Sequence, residues 1–389
     1  MAQIVIYKGS YQYDAVNVFA EYLGEGFRRL GKDVAFIDLK DRENLAENIQ
    51  REFSRSVEFI VSFGGIGFEF KSGEKSLYGL LPFPFIVLLV DHPAYFLPRF
   101  SLSNMMVTCM DRSHVKFMRE YFGEEKKVFF LPHGGCLSDA PDSQRTIDIL
   151  FAGTYLDPDL YYGEIKALEE IPRKLAFEAS ELILSRNCMD IEDALAEVSL
   201  KYGIDFNEKK HFQKKIYESI VTKIEIFIRA FKRTKILSLL DKSGFKMRLH
   251  GNGWKDGTFK NIQTFSPLPF KEVLNLMKQS KIVLNISCLS DGSHERVYSS
   301  MLNGAISLTE QNPYLSEKFT DMEDIMFYKW LELGELPDKI NCILSDCGKL
   351  IETARKGKEK AEKEHSWFSR AETLLKDVND FKAGNKASL

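Results

Sequence analysis

The chain has 389 residues, which exceeds the roughly 250–300 residues at which a single hydrophobic core stops growing, so we expect two domains. Its 53 Lys and Arg against 56 Asp and Glu leave a net charge of −3. This near balance argues against a protein whose whole surface coats nucleic acid or anionic membrane. A hydrophobic fraction of 44% with 28% charged residues is typical of a soluble globular protein.

The six cysteines are scattered along the chain: Cys109, Cys136, Cys188, Cys288, Cys342 and Cys347. No pair has the CxxC spacing of a zinc site, and the number is too small for a disulfide framework, so we expect reduced thiols and a cytoplasmic protein. The N-terminus shows no basic region followed by a cleavage site, so no targeting segment is expected. The most apolar stretch, 77–90, contains two prolines and is shorter than the roughly 20 residues of a membrane-spanning helix.

The first 135 residues alternate short apolar runs with helical patterns. Residues 4–7 and 34–39 flank a stretch with apolar residues at helical spacing, which predicts a βαβ unit. Further strand-like runs occur at 59–64, 85–90, 105–110 and 128–132, with a helix predicted over 113–122. Because these runs are apolar on both strand faces, they indicate a parallel sheet covered by helices on both sides.

The pattern restarts at residue 148 after a turn-rich segment, 136–147, which we interpret as the linker between the domains. Strand-like runs follow at 148–155, 246–251, 282–287, 305–310 and 325–328. They predict a second Rossmann-like, doubly wound domain over 148–365 that faces the first domain, 1–135, across a cleft. Since ligands of open α/β sheets bind at the carboxyl ends of the strands, the loops after these runs are the candidate sites.

Residues 156–240 depart from this alternation because they show helical patterns only, so we predict a helical insertion in the second domain. Lysines and arginines concentrate in its last part, opposite a face of apolar residues that includes Ile216, Ile220 and Ile224. Two interpretations stay open. The basic residues form either the solvated face of a packed helix or a docking surface for an acidic partner protein or for membrane headgroups.

The most informative segment is 288–310, where a polar loop follows a strand and leads into a helix that ends at Asn303 and Gly304. The free amide groups and the dipole at the start of such a helix favour anions. The first turns of this helix carry several polar residues: His294, Glu295, Arg296, Ser299 and Ser300. We therefore predict a phosphate or diphosphate site at this loop.

The run from the strand at 282–287 through SHERVYSSMLNGAISLTE resembles the donor-binding segment of GT-B glycosyltransferases. It is most similar to the CgeB-like, spore-maturation-type members, within a glycosyltransferase family 1-4-like group. Other matches follow in the family's order: DILFAGTY at 148–155, RLHGNGW at 248–254, the region 266–285 and HSWFSRAETLL at 365–375. The resemblance implies a GT-B fold, with a final helix over 366–389 that packs back on the N-terminal, acceptor-binding domain.

The resemblance also implies which residues bind a nucleotide-sugar donor: Gly153, Thr154, Gly251, Asn252, Gly253, Trp254, Leu268, His294, Glu295, Arg296, Ser299 and Ser300. The glycine-containing loops would face the diphosphate, the backbone around Leu268 would meet the base, and the helix start would meet the diphosphate and ribose. Retaining members carry two glutamates eight positions apart, whereas this chain has Asp291 and Ser299 there. A ribose-binding carboxylate at Ser299 is therefore absent, and retention or inversion stays open.

Catalytic residues are expected where strands end. Asp91 and His92 follow the most apolar strand of the first domain, where an imidazole could take a proton from an acceptor hydroxyl. The alternative is a histidine that only satisfies a loop carbonyl. Arg296 is the third candidate, since its charge could stabilise the leaving diphosphate. We expect no metal and no cofactor, because the helix dipole and Arg296 would neutralise the phosphates.

The sequence lacks GxxxxGK[ST], HExxH and GxSxG motifs, which argues against a P-loop NTPase, a zinc protease and an α/β-hydrolase. We predict a metal-independent hexosyltransferase that moves a sugar from a UDP-, GDP- or dTDP-linked donor to a hydroxyl on a protein, glycan or lipid, with no nucleic acid partner. Two alternatives remain open: a nucleotide-sugar epimerase of the same fold, and a non-catalytic binding protein that uses the basic insertion.

Overall fold

The computed structural model describes residues 2–100, 102, 104–255 and 257–386. Its contacts divide the chain into two compact units, Met1–Cys136 with Lys363–Leu389, and Leu137–Glu362. All six cysteines are free thiols. Within the described ranges, no helix combines the length and the apolar character needed to cross a membrane.

The first unit is organised around a parallel sheet with the strand order β2-β1-β3-β6-β7-β8. Its strands are β1 Gln3–Lys8, β2 Asp33–Asp38, β3 Val57–Phe63, β6 Phe85–Leu88, β7 Met105–Cys109 and β8 Lys127–Phe130, and a short hairpin pairs β4 Lys71–Ser72 with β5 Lys75–Ser76. The central strands β1, β3 and β6 are buried along most or all of their length. This burial matches the double-sided apolar pattern read from the sequence.

Four α-helices accompany this sheet in the described part of the unit: α1 Ala15–Arg29, α2 Leu45–Phe53, α3 Arg112–Phe122 and α13 Trp367–Lys386. The last helix, α13, packs on α1. The Trp367 ring stacks on Phe19 with centroids 5.5 Å apart, and the Arg29 guanidinium lies 4.2 Å from the Phe368 ring centroid. A Cβ on Gly26 would lie 3.1 Å from the Phe368 Cα, so the glycine permits the close approach of the two helices.

One carboxyl group of α13 makes the stability of the first unit depend on pH. Burial, together with the nearby charge of Asp380, raises the pKa of Asp377 to about 6. Since the unfolded carboxyl titrates near about 3.9, the folded state binds more protons between these values, and stability falls as pH rises through that range. We expect Asp377→Asn to raise the unfolding temperature at pH 8 and to change it little at pH 4.

The matched control for this prediction is Glu372→Gln, an exposed position on the same helix. Thermal unfolding of both variants at several pH values shows whether the stabilisation depends on the ionisation of Asp377. A stabilisation by Asp377→Asn that is equally large at pH 4 and pH 8 would show that ionisation of Asp377 is not its cause.

The second unit contains a parallel sheet with the order β11-β10-β9-β12-β13-β14. The strands are β9 Ile147–Ala152, β10 Met247–His250, β11 Ile262–Phe265, β12 Ser280–Leu284, β13 Ile306–Glu310 and β14 Met326–Tyr328. Counted along the chain, this is the Rossmann order 3-2-1-4-5-6, whose topological switch point lies between β9 and β12. The prediction of two doubly wound α/β domains is therefore confirmed, although the sequence did not reveal β11.

The helices of the second unit begin with the insertion: α4 Pro158–Lys166, α5 Glu170–Leu184, α6 Ile191–Lys201 and α7 Lys210–Lys242. They continue with α8 Phe270–Lys278, α9 Glu295–Leu302, α10 Pro313–Lys318, α11 Leu336–Ser345 and α12 Cys347–Glu364. Helix α7 is 33 residues long and has two roles. Its upstream part packs on α4, α5 and α6, whereas Ile236, Leu237 and Leu240 near its end join the core beneath β9 and β10.

Residues 137–147, interpreted from the sequence as a linker, are held by the second unit. The Ser138 amide donates to Asn303 Oδ1 at 2.8 Å. The Arg145 guanidinium donates to the carbonyl oxygens of Ser280 at 2.7 Å and Asn303 at 2.9 Å. These bonds satisfy carbonyl groups near the C-terminal ends of α8 and α9, where a cation is also favoured by the helix dipole.

Candidate functional site

The switch point of the second sheet determines where its loops converge. Gly153 and Thr154 directly follow β9, and Asn285 directly follows β12, while the loop after β10 begins at Gly251. Parallel neighbours end at the same edge of the sheet, so these three loops lie side by side. This edge is the place where open α/β sheets bind ligands.

The loops after β9 and β10 are joined by direct hydrogen bonds. Trp254 Nε1 donates to the Gly153 carbonyl at 2.7 Å, and the Tyr155 amide donates to the Asn252 carbonyl at 2.8 Å. A Cβ on Gly251 would lie 2.6 Å from the Gly153 carbonyl carbon, so only glycine allows this approach. The structure thus brings these predicted site residues into one rigid edge.

The neighbouring predicted positions belong to the same edge. Gly253 has a φ of +81°, a conformation that favours glycine, and a Cβ there would lie 3.2 Å from the Tyr155 Cβ. Leu268 is half-buried in the loop between β11 and α8. That loop contacts β10 through His250, whose Nδ1 lies 3.0 Å from the Ser266 carbonyl oxygen and whose ring stacks on Phe265 with centroids 4.9 Å apart.

Two arginines from different elements meet at this edge. Arg233 of α7 donates a hydrogen bond to the Thr154 carbonyl, and its Cζ lies 5.4 Å from the Phe151 ring centroid. Arg296 of α9 lies against the same ring, with its Cζ 5.8 Å from the centroid. Arg296 also donates to Asn285 Oδ1 at 3.0 Å, so its position is fixed from β12.

These two side chains and Arg229, one turn earlier on α7, form what we call the arginine cluster. Burial lowers the pKa of Arg233 to about 9, and the charges of Arg229 and Arg296 add to this lowering. Burial also lowers the pKa of Arg296. Arg229 pairs with the Glu225 carboxylate at 3.3 Å, so the converging charges of Arg233 and Arg296 are the ones that favour an anion here.

Sequence reasoning did not identify Arg233 as a site residue. The sequence does contain a signal for a buried Arg233. Arg233 shares one face of α7 with Ile236 and Leu240, and that face packs under the sheet. Neither open interpretation of the basic residues, a solvated face or a docking surface, holds for two of them. Arg233 is 7% exposed, and Lys232 is 5% exposed and pairs with Glu310 at 2.8 Å.

A loop leads into α9 as predicted, but the polar residues at the start of this helix differ in their contacts and in their exposure. His294 is the N-cap, and its Nδ1 accepts from the Arg296 amide at 3.3 Å and lies against the Glu295 carboxylate. Burial lowers the pKa of His294, as does the charge of Arg296, although Glu295 opposes both.

Two predicted ligand contacts lie inside the packing of α9. Ser299 and Ser300 are both 0% exposed, and Ser300 Oγ donates to the Val297 carbonyl of its own helix at 2.8 Å. The structure therefore does not present either hydroxyl at the loop edge.

The other catalytic candidates, Asp91 and His92, lie in the first unit. Asp91 is exposed, whereas His92 is 5% exposed. The His92 Nδ1 accepts from the Ala94 amide at 3.1 Å, and its ring contacts that of His114 with centroids 4.4 Å apart. The Nδ1 atom of His92 is thus already engaged by a backbone amide of its own loop. A role of Asp91 or His92 as a catalytic base stays a prediction.

The part of the chain that the structure describes contains no group of three or more His, Cys, Asp or Glu side chains placed to hold a metal ion. The charged side chains that converge at the switch point include the guanidiniums of Arg233 and Arg296, which can bind an anionic ligand.

The chain is similar to one protein family in sequence and to several solved structures in fold. Residues 228–376 match the family described as Glycosyl transferase-like, a region that begins within α7 and includes the arginines of the cluster. No curated protein sequence matches the chain.

Several solved structures are similar over nearly the whole chain. Sucrose-phosphate synthase from Thermosynechococcus elongatus has a TM-score of 0.53 at 10% identity, with 99% of this chain and 100% of that chain covered. The DNA-modifying β-glucosyltransferase, studied with and without uridine diphosphoglucose, has a TM-score of 0.53 at 10% identity, covering 97% and 100%. Anabaena HepE in complex with UDP-glucose has a TM-score of 0.51 at 10% identity, covering 98% and 100%. With two parallel Rossmann-like sheets and these structural matches, the chain has the GT-B glycosyltransferase fold.

Proposed function

We propose that the protein transfers a sugar from a nucleoside diphosphate sugar to a hydroxyl acceptor, and that the arginine cluster binds the diphosphate. The observation that carries this proposal is the meeting of Arg233 and Arg296 against Phe151 at the switch point between β9 and β12. Guanidinium groups form short, charge-assisted hydrogen bonds with phosphate oxygens. The family match over residues 228–376 supports the same assignment.

The chemistry of sugar transfer explains why these charges are placed there. When the bond between the sugar and the diphosphate breaks, negative charge accumulates on the leaving diphosphate. A preorganised cation stabilises the transition state, in which this charge develops, more than it stabilises the ground state. The cation therefore accelerates the transfer. Arg296 is preorganised by Asn285, whose Nδ2 in turn donates to Thr309 Oγ1 at 3.0 Å.

Two more specific proposals concern the identity of the donor and the need for a metal ion. Two of the similar structures, the DNA-modifying β-glucosyltransferase and Anabaena HepE, have UDP-glucose in their descriptions, so UDP-glucose is the first donor to test. We propose a hexosyl group as the transferred sugar. We also propose that the arginine cluster replaces a divalent metal ion, so EDTA should not reduce the rate of transfer.

A donor panel tests the proposed function. The full chain is titrated with UDP-, GDP- and dTDP-sugars, first by thermal unfolding and then by the release of nucleoside diphosphate with an acceptor mixture. We expect one nucleotide series to raise the unfolding temperature by several degrees and to be consumed only when an acceptor is present. Conversion of the donor without any acceptor would instead identify an epimerase, and no stabilisation by any nucleotide sugar would refute the proposal.

The contact between Asn285 and Arg296 allows a further prediction. Asn285→Ala should lower kcat by about tenfold, because the loss of one hydrogen bond to a charged group costs about 1.5 kcal/mol or more in orientation of Arg296. The Michaelis constant of the donor should change less. Initial rates measure both, and Thr309→Val, which keeps the bond between Asn285 and Arg296, is the matched control with a smaller loss. An unchanged kcat in Asn285→Ala would remove Asn285 from the mechanism.

A further inference from the structure

The first unit contains an apolar helix face that does not enter the core. Helix α2 places Leu45, Ile49 and Phe53 at i, i+4 and i+8, which aligns them on one side. All three are only partly buried, and the one buried α2 residue among those described is Glu52. The Phe53 ring packs on Phe83 with centroids 5.7 Å apart, and the part of the stripe that stays accessible to solvent is available to a ligand.

The segment that follows β3 faces this stripe. Phe70, Leu77 and Leu81 are also partly buried, and the Leu77 amide donates to the Phe70 carbonyl at 2.8 Å, which fixes this wall. Between the two walls lies a groove of about 710 Å³ that is open to solvent, which we call the α2 groove. Its volume lies within the roughly 300–1,000 Å³ of sites that bind small molecules.

The charges of the α2 groove have one sign. Its lining includes Arg42 and Lys71 but no Asp or Glu. Both cations are exposed. Two exposed cations beside an apolar groove favour a ligand with an apolar body and an anionic group.

The polar lining also excludes other ligand classes. Apart from the two cations, the side chains of Gln50 and Ser54 are the polar groups of the groove. A glycan or an extended peptide would bring many hydroxyl or backbone groups that need hydrogen-bond partners, and the groove offers few. An alkyl chain needs none and gains from the removal of its apolar surface from water.

From these observations we propose that the α2 groove binds a single-chain anionic amphiphile as a free molecule, with its alkyl chain against Ile49 and Leu77 and its carboxylate or phosphate at Arg42 and Lys71. The groove lies wholly in the first unit. Its occupancy is therefore independent of the proposed diphosphate site, and a test of one does not decide the other.

Binding of 11-(dansylamino)undecanoic acid to the full chain tests this proposal through the rise in dansyl fluorescence. We expect saturable binding of one probe per chain, displaced by dodecanoate. Ile49→Glu and Leu77→Glu should each weaken it at least tenfold. Ile171→Glu, at an exposed position of α5 in the second unit, is the matched control and should leave it unchanged. Thermal unfolding confirms that each variant is folded.

The head-group assignment is tested with Arg42→Ala and Lys71→Ala. Together they should weaken competition by dodecanoate several-fold and leave competition by the neutral dodecanol unchanged. Probe binding that is not saturable, or that persists in both Ile49→Glu and Leu77→Glu, would overturn the proposal. Cosedimentation with phosphatidylglycerol vesicles in the absence of any binding of the monomeric probe would overturn it as well, since it would assign this face to a membrane surface.

Discussion

Replacement of Arg233 by methionine should weaken the binding of a nucleoside diphosphate by about tenfold to a hundredfold. One charge-assisted hydrogen bond contributes about 1.5–3 kcal/mol, and about 1.4 kcal/mol corresponds to a factor of ten in affinity. The rate of sugar transfer should fall by at least as much, because the same charge acts on the leaving diphosphate. Isothermal titration with UDP, GDP and dTDP measures the affinity.

The stability of this variant distinguishes a binding role from a structural one. Arg233 is 7% exposed and forms no ion pair within the described residues, and burial lowers its pKa to about 9. Arg233→Met removes a buried charge that neighbouring arginines repel but also the hydrogen bond to the Thr154 carbonyl, so the two effects offset and the unfolding temperature should change little. Arg186→Met is the control in the same insertion, at a surface arginine paired with Glu197 at 3.0 Å. Equal donor affinity in Arg233→Met and in the wild-type protein would contradict the assignment.

Gly251→Ala is the second substitution with a large expected effect. The new Cβ would lie 2.6 Å from the carbonyl carbon of Gly153, and backbone atoms on both sides cannot move aside as a flexible side chain can. The loops after β9 and β10 must separate, at a cost of about 1–3 kcal/mol typical of overpacking. We expect a lower unfolding temperature together with a loss of donor binding, since Thr154 is displaced from Arg233.

The matched control is Gly163→Ala in α4, where an added Cβ meets nothing within 4 Å. Alanine is favoured over glycine in a helix by about 0.5–1 kcal/mol, so this variant should be slightly more stable and should bind the donor normally. Thermal unfolding and donor titration compare the two variants. If Gly251→Ala binds the donor as the wild-type protein does, the junction of these loops is not part of the site.

Most of the fold could be predicted from the sequence because its strands are buried on both faces. Runs such as 4–7 and 85–90 are apolar without interruption, and they became β1 and β6. The strand β11 was missed for the opposite reason. It has four residues, lies at the sheet edge and is mostly exposed, so it carries little apolar signal. The two-residue strands β4 and β5 carry no periodicity at all.

The candidate site could be predicted in part. A polar loop before a helix is a local signal and led to Arg296, whereas Gly153 and Gly251 followed from the resemblance to GT-B glycosyltransferases. The contact of Arg233 with the Thr154 carbonyl joins residues 79 positions apart, and only the tertiary packing of α7 creates it. The same packing turns Ser299 and Ser300 inward, which local spacing along α9 could not reveal.

The basic insertion is the feature whose interpretation changed most. Lys209, Lys210 and Lys215 near the start of α7 are exposed, as expected of a solvated helix face. Further along the same helix, Lys232 is buried against Glu310, and Arg233 reaches the loop after β9. The insertion therefore supplies charge to the switch point of the second sheet as well as to the surface.

The most direct test is a crystal structure of the protein with the nucleotide sugar that stabilises it most. We predict that the diphosphate lies at the carboxyl edge of the second sheet, with phosphate oxygens within hydrogen-bond distance of Arg233 and Arg296. A diphosphate bound elsewhere on the chain, with both guanidiniums left as they are in the ligand-free protein, would contradict the assignment of the arginine cluster as the donor site.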